Sequence, residues 1–226
     1  MPLPGHSGVH GLTAPGFEPV RDAFLENFTH RHDLGAACTV YHRGEKVVDL
    51  WGGTRDRGRN LPWEENTVVL VFSTTKGMAS IAMAVAHARG FLEWDEPIAS
   101  YWPEFAANGK DRITVRQLMS HQAGLAVVRE KLDARTLGDP DRLGTILARQ
   151  RPAWKPGTNH GYHSVTQGWY QSEILRRVDP RGRRLGEFFR DEVARPLGLS
   201  FFIGLPPDVP ESRIARIEGF HPARIP

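Results

Sequence analysis

Val71-Phe72-Ser73-Thr74-Thr75-Lys76-Gly77-Met78-Ala79 is the stretch on which the reading of this chain turns. An apolar, strand-like run gives way at Ser73 to a helical pattern, with Met78, Ile81, Ala82, Val85 and Ala86 on one stripe. A helix puts residues i and i+3 on the same face, so Ser73 and Lys76 can touch. A serine hydroxyl is a weak nucleophile until a neighbouring base takes its proton. The first helical turn carries a partial positive charge, which together with burial makes Lys76 a candidate proton partner. At a strand-to-helix junction the Ser73 backbone N–H is also free to face a developing oxyanion. The bland alternative is a helix-capping serine beside a solvated lysine. With nine serines and five lysines, chance gives roughly 0.2 such pairs, so the pair alone decides little. Its surroundings, small and apolar from Thr74 to Ala86, suit a buried helix better than a surface one.

Working outward, Phe17–Arg31 has helical spacing at Val20, Phe24, Leu25 and Phe28. Ala36–His42 and Lys46–Gly52 read as a hairpin turning at Arg43-Gly44-Glu45, ended by Gly52-Gly53. Thr67–Phe72 reads as a third extended run. Gly90 is a left-handed stop for the helix that follows Ser73. Thr114 and Gln117 fit a capping box opening a short helix through Leu118, Met119 and His121, closed by Gly124. Helical stretches follow at roughly 139–151, 165–178 and 185–195. The expected organisation is α+β: an extended N-terminal arm over 1–16, the N-terminal part of an α/β lobe over 17–98, and an α-rich lobe over 99–226.

Composition narrows the function classes. The 226 residues are 40% hydrophobic and 24% charged, with a formal net charge of +3, ordinary for a globular protein. Arginines are scattered among acids, so no nucleic-acid stripe is expected, and the Arg176-Arg177 and Arg181–Arg184 clusters read as a solvated helix face and turn. Cys38 is the only cysteine, which excludes an intrachain disulfide or a thiolate metal cluster. His160 and His163 flank Tyr162, and His30 and His32 form another pair. Neither has a third ligand at metal spacing, so no metal or cofactor is expected. The N-terminal residues lack a charged-then-apolar signal region, and no apolar run is long enough to span a bilayer. A cytoplasmic protein without a membrane partner is the reading that fits.

Ser73-Thr-Thr-Lys76-Gly-Met, "LEWDEPIASYWPEF", "ITVRQLMSHQAGL", "KPGTNHGYHSVTQGW" and "RPLGL" occur here in the order seen in serine β-lactamase-like hydrolases. Over residues 20–220 the chain most resembles family VIII carboxylesterases, which are similar to class C β-lactamases and penicillin-binding proteins. The resemblance implies a β-lactamase/transpeptidase-like fold: an antiparallel sheet flanked by helices, plus a mostly helical lobe. It implies Ser73 as nucleophile, with Lys76 and Tyr162 as proton shuttle. A phenolate beside an ammonium is stabilised, so Tyr162 is suited to take the Ser73 proton. Where β-lactamases and peptidases carry Tyr-x-Asn or Ser-x-Asn, this chain has Tyr162-His163-Ser164. Ser164 either orients substrate or caps the helix from Val165; with His163 it is a substrate-binding candidate. His121 matches a structural turn and reads as packing.

The implied activity is hydrolysis of short-chain esters through an acyl-enzyme. β-Lactamase, D-amino peptidase or acyltransferase chemistry are the neighbouring alternatives, and a non-catalytic ligand-binding or scaffold protein of the same fold is the rival. The family's third motif and the late strands of its sheet are not found after Leu199. Trp51-Gly52-Gly53 lies too early to stand in for that motif. The expectation is therefore an N-terminal portion that lacks the C-terminal strands, is poorly stable and weakly active alone, and is completed by a C-terminal segment as a separate chain.

Overall fold

The computed structural model describes residues 8–219. The first seven residues of the expected arm, and the last seven of the chain, lie outside them. The described residues form two compact units, one running to Leu70 and resuming at Pro207, the other spanning Val71–Pro206. The boundary expected near residue 98 is replaced by this one. The helix carrying Ser73 buries its alanine face against later helices, and the segment after Pro207 returns to the first unit by pairing with Val68.

The first unit is an antiparallel sheet with one helix. Its elements are β1 (His10–Thr13), α1 (Glu18–Thr29), β2 (Gly35–His42), β3 (Glu45–Asp56) and β4 (Leu61–Pro62). β3 is central, paired with β1 and β2 along its first part and with β4 beyond Gly53. The β2–β3 hairpin turns on Arg43 and Gly44, at φ +51° and +85°. A two-residue loop with both φ values positive matches the right-handed twist of its strands. Phe24 and Phe28 of α1 pack edge to face at 5.2 Å and join Val47, Val48 and Leu50 of β3 in one buried cluster, with half-buried Cys38 at its margin.

Three sequence expectations change here. Part of the expected arm is strand β1, whose His10–Thr13 backbone pairs with Trp51–Val48. Its Gly/Pro-rich surroundings hide a strand that exists because β3 offers an unpaired edge. Gly52-Gly53 does not end β3; Gly53, at φ +77°, bends it and lets it continue to Asp56. Thr67–Phe72 is not a strand. Only Val68 bridges, giving its N–H to Arg213 and its carbonyl to Ala215, and Phe72, at φ +46°, breaks the extended run before Ser73.

The second unit is helical: α2 (Thr74–Ala88), α3 (Ile98–Tyr101), α4 (Val115–Met119), α5 (Ala134–Leu137), α6 (Pro140–Arg149), α7 (Thr166–Val178) and α8 (Leu185–Phe189), the last running into a π turn over Arg190–Ala194. α2 buries Ala79, Ala82, Met83 and Ala86, a stripe rotated from the expected one, with Ile81 left exposed. The alanines allow close approach to α7 and α8. The stop at Gly90 is as read: Phe91 N–H reaches the Ala86 carbonyl at 3.0 Å and Gly90 N–H the His87 carbonyl at 2.8 Å, the paired bonds of a Schellman motif. The Thr114–Gln117 capping box opens α4.

The basic clusters are not a solvated face. Arg176, Arg177 and Arg184 converge on buried Glu173, while buried Arg183 grips Asp179 with two hydrogen bonds of 2.8 and 3.0 Å. Burial pushes the Glu173 pKa up, but the arginine hydrogen bonds outweigh it and hold the carboxyl below its ordinary value. α7, which follows the Tyr162 loop, is thereby tied into the helical unit. Among the described residues no helix is long and apolar enough to cross a membrane.

Gly53 gives a test of the sheet. A Cβ there would meet the Leu34 carbonyl oxygen at 2.3 Å. Gly53→Ala is expected to lower unfolding stability by at least about 2 kcal/mol, read as a lower urea midpoint; an unchanged midpoint contradicts the bend described here.

Candidate active site

All the candidate site residues lie in the helical unit, on α2 and on the loop before α7. Ser73 is the last residue before α2, and its hydroxyl makes no capping bond. Thr74, Thr75 and Lys76 return their N–H groups to Val71, Phe72 and Ser73. Among the described residues the Ser73 N–H has no hydrogen-bond partner. The positive φ of Phe72 turns the chain so that both the N–H and the hydroxyl of an exposed Ser73 are presented.

Lys76 joins the helix to the loop. Its Nζ donates to Ser73 Oγ at 3.1 Å and to the Ser164 carbonyl at 2.6 Å. The same Nζ lies 4.8 Å from the centre of the Tyr162 ring, within cation–π range. Interaction with the Ser73 hydroxyl, then with the Lys76 ammonium and its charge, outweighs desolvation and holds the Tyr162 phenol below its ordinary pKa. Tyr170, fully buried on α7, is pushed the other way by desolvation. Two tyrosines eight positions apart are thus moved in opposite directions by their surroundings.

Ser73, Lys76 and Tyr162 are brought together. Ser164 joins them through its main chain; its side chain is exposed and does not cap α7, whose N-cap position is Val165 with no side-chain bond. His163 does not face the site. It is fully buried, accepts the Leu125 N–H at 3.0 Å and stacks on His121, so the substrate-binding expectation for it is corrected: a ring whose two nitrogens are engaged inside the unit offers a substrate nothing. His121, read from the sequence as packing, does pack: its ring meets Tyr162 edge to face at 5.1 Å and stacks on His163. The contact with Tyr162 was not legible in the sequence; His121 holds φ +63°, which non-glycine residues seldom adopt.

A cleft of about 370 Å³ opens beside Lys76 between α2 and α7, lined by Phe72, Ala79, Val165, Trp169 and Ile203 among others. The side-chain amide oxygen Oε1 of Gln171, buried in its lining, has no hydrogen-bond partner among the described residues. Among the described residues no three His, Cys, Asp or Glu side chains gather where they could hold a metal ion.

The family model described as Beta-lactamase matches residues 21–222. The chain belongs to the beta-lactamase family. Within that family it is 38% identical over 214 residues to the Esterase/beta-lactamase LipL of Mycobacterium tuberculosis, an alignment that takes in 92% of this chain and 48% of that protein. The crystal structure of a family VIII carboxylesterase superposes with a TM-score of 0.87 at 44% identity, over 92% of this chain and 57% of the other. A penicillin-binding protein homolog from Caulobacter crescentus gives 0.87 at 40% identity, over 94% and 57%. The fold is therefore β-lactamase/transpeptidase-like, as the motifs implied. The chain spans about half the length of the curated beta-lactamase-family relatives it matches. In the solved relatives the unmatched remainder belongs to the same polypeptide, and the expected separate complementary chain finds no support.

The opposed tyrosines make a titration prediction. With its pKa lowered and that of Tyr170 raised, Tyr162 ionises before Tyr170 as pH rises. Near-ultraviolet absorbance should show one tyrosinate forming early, and Lys76→Met should move it upward by removing the stabilising cation. Tyr162 ionising together with or after Tyr170 in the parent chain would contradict the geometry.

Proposed function

We propose that this chain carries the acyl-transfer centre of a serine carboxylesterase acting on short-chain esters. The observation that carries the reading is the convergence of Ser73 Oγ, Lys76 Nζ and the Tyr162 phenol, with 3.1 Å between the first two. The phenolate form of Tyr162, stabilised by Lys76, takes the proton from Ser73 Oγ as that oxygen attacks the ester carbonyl. The unpartnered Ser73 N–H donates to the oxyanion of the tetrahedral intermediate. Tyr162 then passes its proton to the departing alcohol oxygen, leaving an acyl group on Ser73 and the phenolate restored. Water repeats the sequence: it loses a proton to Tyr162, attacks the acyl carbonyl, and the proton returns to Ser73 as the acid leaves. Lys76 shares the shuttle with Tyr162, its Ser164 bond holding it where the phenolate charge appears. The apolar cleft beside Lys76 suits the hydrocarbon part of a small ester.

A second reading, hydrolysis of a β-lactam amide, draws on the double name of the M. tuberculosis relative. The same nucleophile and shuttle serve it, with a ring nitrogen in place of the alcohol oxygen. The rival of a non-catalytic binding protein loses ground to Ser73, whose exposed hydroxyl makes no capping bond and whose N–H has no partner among the described residues.

Incubation with a fluorophosphonate should add its mass at Ser73, and Ser73→Ala should abolish the adduct. With p-nitrophenyl butyrate, Tyr162→Phe should lower kcat by about 10²–10⁴-fold with a much smaller change in KM. An unlabelled Ser73 with parallel binding of the ester would favour the scaffold instead, and turnover of a chromogenic cephalosporin faster than of the ester would favour the second reading.

A further inference from the structure

The loop that delivers Tyr162 is fastened by two histidines that take no part in the chemistry above. His163 Nε2 accepts the Leu125 N–H at 3.0 Å. A neutral imidazole nitrogen that accepts bears no proton, so the His163 ring proton sits on Nδ1. That Nδ1 lies 3.1 Å from His121 Nδ1, which must therefore accept. The same His121 nitrogen accepts the His163 backbone N–H, also at 3.1 Å. His121 in turn bears its proton on Nε2. Neither ring can add a second proton where it stands, because each unprotonated nitrogen already faces an N–H donor.

These bonds bracket Tyr162. The Gly161 N–H reaches the His121 carbonyl at 3.1 Å, and the His163 N–H reaches the His121 ring. The residues on both sides of Tyr162 are thus hydrogen-bonded to one histidine, whose ring also meets the phenol ring edge to face. Leu125 completes the clamp, its N–H on His163 and its carbonyl accepting Thr166 Oγ at 2.8 Å.

We propose that His121 and His163 are positioning residues: a neutral pair with fixed tautomers that holds the Tyr162 phenol in place for proton exchange with Ser73. The proposal rests on the reading of Tyr162 as the proton shuttle. The charges around the pair support it. Lys76 on α2 and His160 on the loop face His121, and His163 and Tyr162 lie against its ring. Burial, then Lys76 and His160, lower the His121 pKa from 6.5; burial, then His121, push His163 down to about 4. The pinned arrangement therefore favours neutral rings. Its advantage over a released loop is complete above the ordinary histidine value of 6.5, and shrinks as pH falls below it, because only the released histidines bind protons readily.

Two replacements in the full chain separate the parts. Asparagine at 121 keeps an acceptor near Nδ1 and cannot take up a proton; phenylalanine keeps a ring against Tyr162 but no acceptor. His121→Phe should lower kcat for p-nitrophenyl butyrate by about 10²-fold, with KM moving less than about threefold. His121→Asn should recover at least about tenfold of that loss, and its kcat/KM should persist to lower pH than the parent's. Parent-like kcat in His121→Phe, or equal losses in both variants with an unmoved acid limb, overturns the proposal. A nitrogen–proton correlation spectrum of the parent imidazoles is independent of activity and of how the variants fold. The proton on Nδ1 of His163 and on Nε2 of His121 supports the pair; any other assignment overturns it. If Ser73 neither labels nor turns over ester, the esterase reading fails while the tautomers still decide the pair.

Discussion

Everything at this site depends on one ammonium group with two hydrogen bonds and a ring to share. Lys76 reaches forward from the first turn of α2 to Ser73 and across to the loop before α7, where it holds the Ser164 carbonyl beside the Tyr162 ring. Residues eighty-eight positions apart in the chain meet through that side chain. A charged donor on a carbonyl is stronger than a neutral one. On the proposed reading, an ammonium donating to Oγ leaves the phenol as the acceptor of the serine proton.

The helices supply the rigidity this requires. α2 is stopped cleanly by Gly90, and its alanine face lies close on α7 and α8. α7 is itself held by the arginines around Glu173 and by Tyr170, buried against Trp102 and Phe105. The Tyr162 loop thus leaves one fixed helix and is tied back by the His121–Leu125 turn. The phenol remains exposed while the neighbouring backbone is held by hydrogen bonds to His121.

Local signals were legible where the physics is local. The capping box at Thr114, the stop at Gly90 and the Arg43-Gly44 turn depend on residues within a few positions of one another, and each forms as its sequence dictates. The spacing of Ser73 and Lys76 likewise needs only helical geometry. Tyr162 came from resemblance, since nothing local ties it to residue 73. What was hidden depends on partners distant in sequence. β1 forms on an edge that belongs to β3, the arginine clusters turn inward because Glu173 is buried beneath them, and His163 faces the interior because Leu125 and His121 wait there. Alternation and charge counts cannot reveal such pairings; a polar residue inside and one outside spell the same letter.

The lysine's grip on the loop ends at a main-chain oxygen, not at a side chain. Every amino acid brings that oxygen, so residue 164 can be exchanged without cutting the tie. Its outward-facing substituent is consequently at liberty to diversify, and an evolving lineage could retune what this mouth admits while its reactive trio stays put.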